Sequence, residues 1–283
     1  MPRNNADRLS QSIDSVAPLG EPQSSISLSM PTEFVQLPSK GLLYPSDHPL
    51  HGKEEIEIKY MTAKEEDVLS SEALIKKGIV LDRLIQSLII DKNIDPASLL
   101  VADRSAILVA TRASGYGEEY DFSITCPGCE TKTDGHYNLS EREDTSFNSE
   151  ELEVQATKSG TCIVELPKTK AKIEFRLING YDERAIIQKN SNKTNTSSIV
   201  TDQLKRLVLS INGVQDIIEI RSFIDNMPAY DSRYLRNLIA DVAPNTKMSF
   251  DFICESCDHR SALEVPITLT FFWPDVGVRG KRI

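Results

Sequence analysis

No stretch of this 283-residue sequence approaches 18 consecutive apolar residues, and its first residues show no basic-then-apolar leader pattern. Neither a membrane-spanning helix nor export by the usual route is expected, so the setting expected is a reducing cytoplasm. Cations are scarce beside anions, 32 Lys and Arg against 42 Asp and Glu, for a net charge of -10. Wrapping nucleic acid needs a field of Lys and Arg to displace counterions from phosphates, and this balance opposes it. The one compact basic run is Arg279, Lys281 and Arg282, and short basic tails are usually solvated ends. No GxSxG, HExxH, P-loop or GxGxxG pattern occurs, and no pair of carboxylates stands out from the helix faces they decorate. An enzyme is therefore not expected.

What is present is ordinary for a soluble globular chain: 40% hydrophobic and 26% charged residues. Cysteine is the exception. Of five cysteines, four form two CxxC pairs, Cys126/Cys129 and Cys254/Cys257. In a reducing compartment that pattern favours a metal over disulfides. The fifth, Cys162, lies in an apolar alternating run and reads as a small buried hydrophobe.

The chain repeats itself. "VQLPSKG" from Val35 matches "VELPKTK" from Val164, "IEIKYMTAKEED" from Ile56 matches "IEFRLINGYDER" from Ile173, and "DRSAIL" from Asp103 matches "DSRYLR" from Asp231. The CxxC pairs follow in the same order, which reads as an internal duplication. The expected organisation is a flexible arm over 1–33, a first repeat over 34–140, an acidic solvated linker over 141–160, a second repeat over 161–269 and a tail over 270–283. The fold class expected is α+β, each repeat consisting of two short strands, a helical middle and a strand-CxxC-strand hairpin.

Within the first repeat, Ile56 and Ile58 alternate with Glu57 and Lys59 as a half-buried strand. Thr62 and Glu65 have capping-box spacing, which predicts a helix running to Lys77 and stopping at Gly78. Leu81, Leu84, Ile85 and Leu88 form a helical stripe, Asp95–Pro96 opens another helix, and Gly115 ends the one from Asp103. The second repeat offers Leu204, Leu207, Val208 and Ile211 as its stripe with Gly213 as stop, then a helix from about Tyr230 to Asp241 ending before Pro244.

One CxxC turn supplies two of the four ligands of a structural zinc. If the two repeats pack about a pseudo-twofold axis, Cys126, Cys129, Cys254 and Cys257 surround one Zn²⁺ in a zinc-ribbon-like site, one ion per chain. Four sulfur ligands leave no open position for a water, so metal-assisted hydrolysis loses support. His136 and His259 follow the two pairs and are rival ligands, although neither completes a local set of four. A thioredoxin-type CxxC needs a strand-to-helix context, whereas both pairs here lie between strands.

Two segments remain as candidate partner surfaces. "GLLYPSDHPLHG", Gly41 to Gly52, has no counterpart in the second repeat, and its Leu42, Leu43 and Tyr44 are either tucked onto the chain's own core or offered to a partner. Phe271, Phe272 and Trp273 pose the same choice in the tail.

"FVQLPSKGLLYPSDHPL", "MTAKEEDVL", "LVADRSAILVATRASGYG" and "YDFSITCPGC" together resemble the T4-type bacteriophage baseplate proteins, the hub subunits and hub assembly factors. The resemblance covers most of the chain from Phe34 to about Leu139 and, more loosely, the second repeat. It implies a small hub subunit or an assembly factor of a contractile tail, present in the virion baseplate and in the host cytoplasm during assembly. Other hub and tail proteins would be its partners, with no small-molecule substrate and no membrane. Two alternatives stay open, a tail assembly chaperone absent from the mature virion and a nucleic-acid-binding zinc ribbon. The latter is opposed by Glu130, Asp134, Glu255 and Asp258 beside the knuckles, against Lys132 and Arg260.

Overall fold

Val35 and Ile56, inward positions of two short alternating segments, face each other across an antiparallel pair of strands, β1 (Thr32–Gln36) and β2 (Glu55–Lys59). The structure is a computed structural model describing residues 30–147, 154–191, 199–267 and 269–272, and it is a mixed helix and sheet fold. After β2, the Glu65 carboxylate accepts from the Thr62 backbone N–H at 3.1 Å and from the Thr62 hydroxyl, which starts α1 (Ala63–Ser70). The helix predicted to reach Lys77 breaks at extended Ser71, whose carbonyl then accepts from Leu74 and Ile75 to begin α2 (Glu72–Lys76). Serine is a poor helix-interior residue: the Ser70 hydroxyl bonds back to the Glu66 and Asp67 carbonyls, and Ser71 occupies the N-cap position of α2 without a side-chain cap bond. Gly78, at φ +66°, ends the second piece as expected.

α3 (Val80–Leu88) buries Val80, Leu84, Ile85 and Leu88, with Leu81 partly covered. Asp95 caps only a 3₁₀ turn, Pro96–Ser98, by accepting from Ala97 N–H at 3.0 Å. α4 (Val101–Tyr116) is the central helix, and it runs through Gly115 to stop at Gly117, φ +88°. Gly115 serves packing instead, since a Cβ there would lie 3.0 Å from the Met61 methyl.

β3 (Glu119–Thr125) and β4 (Lys132–Asn138) form the first CxxC hairpin. The acidic stretch expected as a linker carries two exposed strands, β5 (Glu143–Thr145) and β6 (Gln155–Ala156). β7 (Cys162–Glu165) and β8 (Lys172–Phe175) follow, then α5 (Gly180–Ser191) and α6 (Ile199–Leu207). The Leu204–Ile211 stripe is not one helix: Leu204 and Leu207 end α6, while Val208 and Ile211 belong to β9 (Val208–Ile211), which pairs with β8. The open edge of β8 claims these residues, and Gly213 (φ +84°) lies in the turn beyond them. α7 (Ile217–Asn226) and α8 (Ala229–Val242) precede β10 (Asn245–Lys247), and β11 (Ser249–Ile253) with β12 (Arg260–Glu264) makes the second CxxC hairpin. β10 pairs with β5, and β6-β7-β8-β9 form a four-stranded antiparallel sheet.

Two aspartates tie the loops that follow the Leu-Pro pairs to the long helices. Asp103, in the first turn of α4, accepts from Ser39 N–H at 3.0 Å, Ser39 Oγ at 2.6 Å and Tyr44 Oη at 2.7 Å. Asp231, in the first turn of α8, accepts from the N–H groups of Lys168 and Thr169, both at 2.9 Å, and from Thr169 Oγ1 at 2.8 Å. Both aspartates are fully buried.

The same network decides the partner-surface candidates. Leu43 and Tyr44 are buried, and the Tyr44 hydroxyl also accepts from Leu100 N–H at 3.0 Å. Phe271 and Phe272 are buried as well, Phe271 edge-on to Tyr120 with its carbonyl accepting from Arg112 Nε at 2.9 Å. These four belong to the chain's own core rather than to a surface for partners, because each apolar body has a packed niche and the polar atoms beside them are satisfied from within. Leu42 stays exposed, and Trp273 lies outside the described residues.

Candidate metal centre

Each CxxC sits in a tight turn that joins two antiparallel strands, and the two turns are built alike. In the first, Cys126 N–H donates to the Thr131 carbonyl at 2.9 Å and Glu130 N–H to the Cys126 carbonyl at 2.9 Å. In the second, Cys254 N–H donates to the His259 carbonyl at 3.0 Å and Asp258 N–H to the Cys254 carbonyl at 2.9 Å. Glu130 and Asp258, each following the second cysteine of its pair, both adopt left-handed backbone, φ +59° and +53°. That reversal folds each turn back so that both of its thiols point the same way.

The hairpins dock face to face. Phe250 on β11 meets Phe122 on β3 edge-on, with ring centroids 5.3 Å apart. Cys126 and Cys254 are buried with Phe252 in a small apolar cluster flanked by Ile124, Phe250 and Leu263. Cys129 and Cys257 sit on the exposed side. The first turn lies against the second at Gly128, where a Cβ would come within 3.1 Å of the His259 ring. Glycine lets the backbone approach that closely.

This docking brings four sulfurs together. Cys126 Sγ is 3.8 Å from Cys257 Sγ, Cys129 Sγ is 3.6 Å from Cys254 Sγ, and all four lie within 4.8 Å of one another. A tetrahedron with metal–sulfur bonds of about 2.3 Å separates its sulfurs by about 3.8 Å, so the four thiols can bind one ion with little movement. No disulfide joins them. Gly128 N–H donates to Cys126 Sγ at 3.3 Å, and the Thr131 hydroxyl lies 3.3 Å from Cys129 Sγ, partners that steady thiolates in a ligand shell.

The electrostatics suit a cation. Hydrogen bonding by the Thr131 side chain and backbone brings the Cys129 thiol down to about 6. At Cys257 the His259 backbone N–H favours the thiolate, yet the neighbouring thiols Cys129, Cys254 and Cys126 outweigh it and push the group up to about 12. The cluster thus gives up one proton readily and resists losing the next, because crowded thiolates repel. A divalent ion removes that resistance, so binding would release protons.

The histidines take other roles. His136 is held between Asp121 Oδ1 at 2.7 Å and Glu119 Oε2 at 2.6 Å on the exposed face of the β3–β4 hairpin, and His259 packs its ring on Gly128. Neither belongs to the sulfur group. Cys162 is buried in β7 away from the cluster, its thiol pushed up to about 12 by burial alone. That is the behaviour expected of a core residue.

Outside the sulfurs, one charged cluster escaped sequence reasoning. Asp82 on α3 reaches Arg104 Nη2 on α4 at 2.8 Å, and its other oxygen meets Arg184 Nε on α5 at 2.5 Å. Arg104 also donates to Glu183 at 3.0 Å and to the Pro96 carbonyl at 2.7 Å. The Asp82–Arg104 contact is within ion-pair range without hydrogen-bond alignment. Nothing local in the sequence marks these four residues, which are brought together by helix packing.

No curated protein and no solved structure matches this chain. A family model does, described as T4 bacteriophage base plate protein, over residues 30–273. That span takes in both hairpins, all four cysteines of the cluster and every described element, and so the chain belongs to the T4 bacteriophage base plate protein family.

Proposed function

We propose that this chain is a non-enzymatic structural or assembly protein of a contractile phage tail, acting at the baseplate hub through contacts with other tail proteins. The observation that carries the tail role is the family match across residues 30–273. One zinc ion per chain, held by Cys126, Cys129, Cys254 and Cys257, stabilises the protein by cross-linking its two hairpins. Zinc is favoured because the donor set is four sulfurs in a near-tetrahedral group. When bound, the ion supplies a cross-link, which in small zinc domains is worth on the order of 10 kcal/mol.

The chain is read as two copies of one unit, 34–140 and 161–269, behind an N-terminal arm over 1–33. Three correspondences support this: the paired left-handed residues Glu130 and Asp258, the paired aspartate ties at Asp103 and Asp231, and third-strand pairing in both halves. The last is a full strand at β9 and a single bridge, Ile58 to Ile89, in the first half. Of the loop candidates Leu42, Leu43 and Tyr44, it is Leu42 that remains exposed for a partner.

Native mass spectrometry on tagged protein, isolated from cells assembling whole tails, tests these readings together. One zinc per chain in complexes with tail subunits is the expected result. A zinc-free chain removes the clamp, and a chain that never associates with tail subunits removes the hub role. Its presence in tail intermediates but not in finished particles would make it a chaperone that leaves.

A further inference from the structure

Beside the first sheet lies a groove of about 440 Å³, bounded by the outer face of β1–β2 and by the chain from Ile90 to Ile94. Its apolar surface is led by Phe34 and Ile90, which are 61% and 43% exposed. Strand alternation explains the ring: Val35 faces inward to Ile56, so Phe34, one position earlier, must face outward opposite Glu57. Ile90 is held beside it by its own N–H, which donates to the Glu57 carbonyl at 3.2 Å.

The rim carries Glu54, Glu55, Glu57 and Asp91 against the single cation Lys53. Among the described residues Glu54 and Glu57 form no ion pair. The equivalent face of the other sheet is closed differently. There Glu174, opposite Ile163, accepts from Thr161 Oγ1 at 2.8 Å and from Ser210 Oγ at 3.0 Å, so its carboxylate is satisfied from within. Of these two faces, the first leaves an exposed ring among carboxylates for which the described residues supply no ion pair.

We infer that this groove docks a short extended segment of another tail protein, one that places apolar side chains between lysines or arginines. The inference rests on the tail role proposed above. Phe34 and Ile90 would cover the apolar side chains, and the acidic rim selects a cationic partner and repels nucleic acid. β1 is also the edge of its two-stranded sheet, which suits an extended partner better than a helical one.

The test uses the purified full-length protein and two fluorescein-labelled nonapeptides, one alternating Lys with Val and one alternating Glu with Val. Fluorescence anisotropy should show the Lys–Val peptide binding, more weakly as salt rises, and the Glu–Val peptide not binding. Phe34→Ser, and separately Glu54→Gln with Glu57→Gln, should each weaken binding about tenfold while leaving the melting temperature unchanged. Equal binding of both peptides, no binding of either, or variants that bind like the parent would overturn the inference. So would binding that appears only after residues 273–283 are removed, because the occupant would then be the chain's own basic tail. The assay contains no tail subunits, so its failure leaves the co-isolation result standing, and failed co-isolation with intact peptide binding would count against the hub role alone.

Discussion

Asp103 is a carboxylate with no exposed surface, and burial raises its pKa despite the hydrogen bonds from Ser39 and Tyr44 that favour its charge. Replacing it by alanine strands two hydroxyls in the core. Asp103→Ala is therefore expected to lose about 2–4 kcal/mol in urea denaturation, with Asp231→Ala losing a comparable amount at the other helix. Glu65 behaves oppositely. Burial opposes its charge, but hydrogen bonds from Lys59 and Thr62 prevail and bring its pKa from 4.5 to about 2. Because the folded value is depressed, the stabilisation from Glu65 is fully present above 4.5 and is lost as pH falls toward about 2. Stability measured across that window should fall more steeply in the parent than in Glu65→Gln; parallel curves would refute the assignment.

At the scale of elements, the proposed metal clamp would join the paired hairpins through their cysteines. Cys126→Ser or Cys254→Ser should reduce bound metal from one ion per chain to a small fraction of one in a colorimetric zinc assay, and should lower the melting temperature to that of chelator-treated parent. If the chelator changes nothing in the parent, the clamp is absent. The loop at Gly41 is equally exacting. Its φ is +69°, and a Cβ there would sit 2.4 Å from the Leu50 carbonyl oxygen, so Gly41→Ala should destabilise by more than about 2 kcal/mol in the same denaturation series. These elements also show what could be read in advance. The four cysteines were legible because their spacing repeats, and the β1–β2 pair because Ile56 and Ile58 alternate with charges. Leu204 to Ile211 was misread because one apolar spacing fits a helix face as well as a helix followed by a strand. The choice is made by β8, which lies far away in sequence. The packing of His259 on Gly128 was hidden for the same reason, since it exists only once the hairpins dock.

Over the whole molecule, helices from the two halves are joined by charge as well as by apolar packing. Asp82 and Arg104 come from α3 and α4, Glu183 and Arg184 from α5, and Asp82 and Arg104 are nearly fully buried. Arg104→Ala would leave Asp82 with Arg184 alone and Glu183 without its partner, and it should cost about 3–5 kcal/mol in equilibrium unfolding. A smaller loss than in an exposed control such as Lys76→Ala would show that the cluster does not hold the halves together.

The position of the two CxxC turns along the chain has a consequence for how the protein is made. The first pair is complete once Cys129 has been synthesised, but the other two ligands of the proposed site arrive only with Cys254 and Cys257. Synthesis runs from the N-terminus, so for most of that time a nascent chain holds half a site and can bind an ion only weakly. Tight metal uptake would thus mark chains that have passed residue 257 and folded both halves. A truncated copy would lack that mark and, with its hairpins undocked, could be cleared before it reached a growing tail.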